Sequence, residues 1–203
     1  MTAVGQGILI ILSGPSGVGK STILGEVLKE KGVVTSISCT TRKPRPGEKE
    51  GEEYFFLTKQ KFLKRVAARE MAEHAEVFGN LYGTPKEWLV KNLAAGKDVI
   101  TDIDVQGAGQ LKKSFPGAVM VFVVPPSRKV LEERLRARHT DDKASLRRRL
   151  ETAEKEMAAI NMYEYVVVND VLAEAAKTVS AIRRAEHAKR DRVKEKTDGE
   201  FRR

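Results

Sequence analysis

The chain has one cysteine, Cys39, in 203 residues, so no internal disulfide forms and a reducing, cytoplasmic setting is expected. No apolar run approaches the ~18 residues that a membrane span needs, and no membrane partner is expected. The first residues, MTAVGQG, place no basic stretch ahead of the apolar ILIIL, so no export signal is expected. Aromatic residues make up 6% and are not interleaved with the basic ones, which argues against a nucleic-acid partner despite a net charge of +9. Much of that charge sits in residues 183–203, read as a solvated helix end with a frayed tail. There is no internal repeat and no low-complexity linker. One domain with inserted parts is expected.

Short apolar runs alternate with amphipathic segments through most of the chain. Residues 8–12, 98–104, 118–124 and 165–170 read as strands buried on both faces, and 33–38 as a further one. Helical spacing marks 20–31, 105–113, 127–138, 145–160 and a last helix from Val171 to Ile182. In the fourth of these, Leu146, Leu150, Ala153, Met157 and Ile160 form one stripe. This alternation predicts an α/β fold with a parallel five-stranded sheet. Two segments break it. Residues 39–84 carry short, antiparallel-looking strand signals and read as an insertion. Residues 136–149 are almost wholly polar and read as a mobile cap.

The segment GPSGVGKST, from Gly14 to Thr22, lies where a strand hands over to a helix. Gly14, Gly17 and Gly19 allow the backbone to curl so that successive N–H groups face an anion. The helix that follows adds its own free N–H groups. Lys20 supplies a point charge for the outer phosphates, and the Ser21 hydroxyl suits magnesium. Gly14, Pro15, Ser16, Gly17, Val18, Gly19, Lys20, Ser21 and Thr22 are therefore the candidate ATP-binding loop.

A kinase needs a second anion site for its acceptor. SCTTRKPRPGE, residues 38–48, offers one. Pro44 and Pro46 favour an extended, three-residue-per-turn backbone, which brings Arg42 and Arg45 to one side. Two guanidinium forks converging in this way suit a phosphate.

Taken in order, the phosphate loop, TTRKPRPGE, YFF, EHAEVFGNLYGT, DIDVQGA and VVND resemble the bacterial guanylate kinase family over about residues 7–185. The resemblance implies a P-loop NTPase core (1–37, 85–133, 160–203), a GMP-binding insertion (38–84) and a helical lid (134–159). It implies ATP and magnesium, transfer to GMP and dGMP, and a monomer or small homo-oligomer. Ser38, Glu73 and Thr84 would surround the guanine, and Arg42, Arg45, Tyr54 and Tyr82 the GMP phosphate. Asp102 would lie between the nucleotides, either contacting GMP or holding magnesium through water together with Ser21. Arg134, Arg138 and Arg149 match lid arginines, and Asn169 a position that meets adenine. Lys20, Arg42, Arg138 and Arg149 are the catalytic candidates. Asp104 is either a helix cap or a ligand.

Guanine presents N1–H and N2–H₂ as adjacent donors, which one carboxylate accepts with both oxygens. Adenine has no N1 proton. A site left unpaired in that way rejects an analogue by roughly 10⁴. Two alternatives stay open at this point: a silent peptide-binding module of the same build, and a kinase for another phosphorylated acceptor. One departure from the family pattern is Ala137 and His139, where glycines are common at the lid hinge.

Overall fold

The apolar run after Gly7 forms β1 (Leu9–Ser13), buried along its whole length. Side chains alternate across a strand, so Ile10 and Leu12 enter one core cluster, Leu9 and Ile11 the other. An unbroken apolar strand is what a sheet covered on both faces requires. The computed structural model describes residues 6–77, 79–137 and 143–197.

From β1 the chain passes through α1 (Lys20–Val27), β2 (Val33–Thr35), β3 (Ser38–Thr40), β4 (Tyr54–Phe56) and α2 (Lys59–Ala67). It continues through β5 (Met71–Val77), β6 (Asn80–Pro85), α3 (Lys86–Ala94), β7 (Asp98–Asp102) and α4 (Val105–Ser114). Then follow β8 (Val119–Val124), α5 (Arg128–Arg136), α6 (Lys143–Met157), β9 (Tyr165–Val168), α7 (Leu172–His187) and α8 (Arg190–Thr197). A 3₁₀ turn over Ala158–Met162 tightens the end of α6.

Among the described residues, the larger sheet has five strands in the order β2-β7-β1-β8-β9, all parallel, as the alternation predicts. One face is covered by α1, α5 and α7, through Ile23, Val27, Leu131, Leu135, Ala175 and Val179. The other is covered by α3 and α4, through Leu89, Ala108 and Leu111. No described helix is long and apolar enough to cross a membrane.

The smaller sheet has the order β4-β3-β6-β5. β6 pairs antiparallel with β3 and β5, whereas β3 and β4 run parallel, so the sheet is mixed. The run at 33–38, read as one strand, is two. β2 pairs with β7 in the core, and β3 joins the smaller sheet after a break at Ser36 and Ile37. Helix α1 stops at Val27 rather than reaching residue 31. The Lys29 and Glu30 N–H groups turn back to carbonyls three residues earlier, and Gly32 takes φ 81°.

Candidate active site

Helix α1 begins at Gly19 in the left-handed conformation (φ 91°, ψ 23°), with no side chain capping its N-terminus. Its first N–H groups are thus left to an external acceptor. Gly14 and Gly17 also have positive φ, and there is a packing reason at each. A Cβ at Gly14 would lie 2.3 Å from the Val123 carbonyl oxygen, and one at Gly17 would lie 2.7 Å from Leu135. Lys20 Nζ donates back to the Gly14 and Pro15 carbonyls at 2.7 and 3.2 Å, and stands 4.0 Å from Asp102. Ser21 Oγ donates to Asp102 Oδ2 at 2.6 Å.

The loop opens on a cleft of about 670 Å³ between the carboxyl ends of the core strands and the smaller sheet. Of the expected loop residues, Gly14, Ser16, Gly17, Gly19, Lys20, Ser21 and Thr22 line it. Pro15 and Val18 do not, and Val18 is fully buried. Arg149, on α6, lines the cleft and donates to Ser16 Oγ at 3.0 Å. Arg134, on α5, does not line it; its buried Nη1 has no hydrogen-bond partner among the described residues. Arg138 lies outside the described residues.

Asn169 also stays out of the cleft. It is buried beneath the loop, where its amide donates to the Val18 carbonyl at 2.7 Å. Its place there depends on Gly19, since a Cβ at that position would come within 2.4 Å of the amide nitrogen. This bond ties Asn169 to the shape of the loop on which the donor nucleotide is expected to rest.

Strand register assembles the opposite wall. Ser38 stands beside Tyr54, and Glu73 directly across from Thr84. Thr84 Oγ1 donates to Glu73 Oε1 at 2.7 Å and lies 3.5 Å from Ser38 Oγ. Ser38, Tyr54, Glu73 and Tyr82 line the cleft, while Thr84 is fully buried behind Glu73. Glu73 is only 4% exposed. Burial pushes its carboxyl up to about 7, with Asp104 adding to the rise and Thr84 opposing it.

Arg42 and Arg45 both line the cleft. The Arg42 fork is held by Glu48 through two bonds, at 2.8 and 2.9 Å, and lies 5.4 Å from the Tyr54 ring centre. Glu48 also accepts the Arg45 N–H at 2.7 Å. The hydrogen bond from Arg42 holds the Glu48 carboxyl below its ordinary range. Sequence reasoning gave Glu48 no role, although its position two residues past Pro46 marks the turn that brings it back.

Asp104 both caps α4, accepting the Gly107 N–H at 2.7 Å, and lines the cleft. Gln106, Thr152, Lys155 and Glu156 line it as well and had no individual sequence signal. Burial raises the Glu156 carboxyl, against the opposing charge of Lys20.

A phosphate-loop sequence at the end of a parallel strand, facing Arg42 and Arg45 across one cleft, defines a P-loop α/β protein. The guanylate kinase family model matches residues 6–186. Guanylate kinase of Clostridium perfringens (strain 13) is 46% identical over 94% of this chain and 88% of that protein. That of Thermotoga maritima is 44% identical, covering 95% and 94%. The crystal structure of guanylate kinase from Anaplasma phagocytophilum superposes with a TM-score of 0.80 at 35% identity, covering 97% and 96%. The chain belongs to the guanylate kinase family.

Proposed function

We propose that the protein transfers the γ-phosphoryl group of ATP to the phosphate of GMP, giving ADP and GDP in purine nucleotide metabolism. The observation that carries the acceptor is the Glu73 carboxylate, buried and bonded by Thr84 in the same cleft as Lys20. Its two oxygens match the two donors of guanine and repel the N1 lone pair of adenine. Ser38 completes the base site. Arg42, Arg45, Tyr54 and Tyr82 take the GMP phosphate, Arg42 exchanging Glu48 for it.

On the donor side the loop amides and Lys20 hold the triphosphate. The obstacle is mutual repulsion of two anionic nucleotides, which Lys20 and Arg149 offset from the cleft wall, joined by Arg134 and Arg138 as the lid closes. The bond from the γ-phosphorus to its bridging oxygen breaks as one to a GMP phosphate oxygen forms, and ADP leaves with the electron pair. The GMP phosphate is already an anion, so no general base is needed. Closing the lid keeps water from competing as acceptor.

Magnesium, when bound, supplies charge neutralisation across the outer phosphates. Ser21 and Asp102 would hold it, the first directly and the second through water. They fit: two hard oxygen donors in contact suit a cation that keeps several waters. No cluster of three His, Cys, Asp or Glu groups among the described residues offers a cage of protein ligands instead. The same reading sets the protein in the cytoplasm, a monomer or small homo-oligomer without nucleic-acid or membrane partners.

The test is one ADP-release assay with GMP, dGMP, AMP, CMP and UMP as acceptors. GMP and dGMP are expected to turn over and AMP to lag by roughly 10⁴. Equal turnover of AMP removes Glu73 from this role, and no GDP at all makes the chain a binding module.

A further inference from the structure

We propose that α4, a helix of the core, sets the guanine-reading geometry by positioning Glu73 from behind, through Gly107, Gln110 and Ser114. The proposal rests on the reading of Glu73 given above.

Among the described residues β5 is an edge strand of the smaller sheet, so its outer N–H and C=O groups have no strand there to pair with. α4 lies along that edge. Residues 107, 110 and 114 recur at spacings of three and four and so share one helical face. Gln110 behaves there as a neighbouring strand residue does. Its Nε2 donates to the His74 carbonyl at 2.7 Å, and its Oε1 accepts the His74 N–H at 3.2 Å. One turn on, Ser114 Oγ donates to the Ala72 carbonyl at 2.8 Å. The residues on either side of Glu73 are thereby fastened to the core helix.

Gly107 completes the arrangement by what it lacks. A Cβ there would stand 2.7 Å from Glu73 Oε2, closer than such atoms approach, and a tight 3.3 Å from its Cδ, so the carboxylate would have to shift. The backbone does not call for glycine, because Gly107 sits within α4 and is not among the positive-φ residues. Glycine at such a site weakens the helix relative to alanine. Its N–H is already taken by Asp104, so α4 gives Glu73 room rather than a hydrogen bond. One carboxylate oxygen is fixed by Thr84 and the other by the bare face of α4. Both must stay in register to accept two adjacent donors.

Gly109 provides an internal control on the same helix. A Cβ there meets only Met162, at an ordinary 3.8 Å.

The test compares kcat/KM for GMP and for inosine monophosphate, which keeps the N1–H and lacks the 2-amino donor. Gly107→Ala is expected to raise KM for GMP and lower the GMP-to-inosine preference by about tenfold or more, the scale of one charge-assisted hydrogen bond. KM for ATP and the melting temperature should hold or, for the latter, rise. Gln110→Ala and Ser114→Ala should shift the preference in the same direction, and Ser114→Thr should restore it. Gly109→Ala should change neither. An unchanged preference in Gly107→Ala and Gln110→Ala, with Glu73→Gln collapsing it, overturns the role of α4 alone. A preference that survives Glu73→Gln overturns the reading of Glu73 and this proposal with it.

Discussion

Ser21, in the first turn of α1, donates its hydroxyl to Asp102, the last residue of β7, across 2.6 Å and 81 positions of sequence. The bond joins the phosphate loop to the neighbouring core strand, and these two oxygens are the proposed holders of magnesium. Asp102→Asn keeps the shape and an acceptor for Ser21 but removes the charge. The magnesium concentration for half-maximal rate is expected to rise roughly tenfold or more, as for outer ligands of metals. Titrating magnesium at saturating ATP and GMP checks it, and an unchanged half-point removes Asp102 from the metal site.

If Glu73 reads guanine as proposed, its titration imposes a pH dependence on GMP binding. In the free protein its carboxyl titrates at about 7, raised from 4.5 mainly by burial. Guanine's donors require the ionised form, so binding below that pH must release a proton. The apparent Kd for GMP should be flat above about pH 8 and rise tenfold per unit well below 7. The GMP phosphate titrates near pH 6 as well, so Glu73→Gln separates the two, since it lacks the upper transition. Stability moves the opposite way. The folded pKa is raised, so this group's contribution to the free protein is fully present below 4.5 and is lost as pH rises through about 7. Calorimetry with and without GMP measures both.

The core and the loop were legible because their signals are local. Unbroken apolar runs mark strands covered on both faces, and a glycine curl before Lys20 has one chemical use. What stayed hidden depends on partners far along the chain. The run at 33–38 is β-branched throughout most of its length, and nothing in it says that its halves join different sheets. Helix α2 buries only Phe62, too little for a stripe to be seen. Arg42 and Arg45 followed from the spacing that Pro44 and Pro46 impose, whereas the other acceptor residues came from motif order. No motif shows that Gly19 leaves space for the Asn169 amide under the loop. Gln110 falls in the helix expected over 105–113 and Ser114 just past its end, and nothing local to either shows that β5 lies alongside.

Asp98 shows how far such hidden pairing reaches. At the opposite end of β7 from Asp102, it is 3% exposed and accepts from Arg183 at 2.7 Å, His187 at 2.9 Å and the Ile8 N–H at 2.9 Å. Burial alone would raise its carboxyl, yet the bonds from His187, Ile8 and Arg183 outweigh it and hold it below 3.8. Removing it strands Arg183, whose other partner is Glu30 at 2.6 Å. Asp98→Ala is expected to cost about 3 kcal/mol and lower Tm by roughly 6–12 °C, with KM for both nucleotides unchanged. The folded pKa is lowered, so this contribution is present above 3.8 and lost as pH falls through the folded value. The gap between variant and parent should therefore close in acid, and a gap that persists there assigns the loss to packing instead.

The segment expected to hinge the proposed lid offers a kinetic prediction. Helix α5 ends at Ala137 in a right-handed conformation (φ −65°, ψ −13°), which alanine adopts without strain. The glycines common at this place in the family are thus not needed for the conformation seen, and their value lies in the conformations visited during opening. His139, the second departure, lies outside the described residues. Alanine narrows the φ range open to the hinge, and lid opening limits turnover in many enzymes that close over a substrate. Rapid mixing of the parent with ATP and GMP should then give a burst of GDP ahead of the steady rate. Ala137→Gly should raise kcat a few-fold and shrink the burst, leaving the burst rate itself unchanged. A parent without a burst, whose kcat the substitution does not move, assigns the limit to phosphoryl transfer.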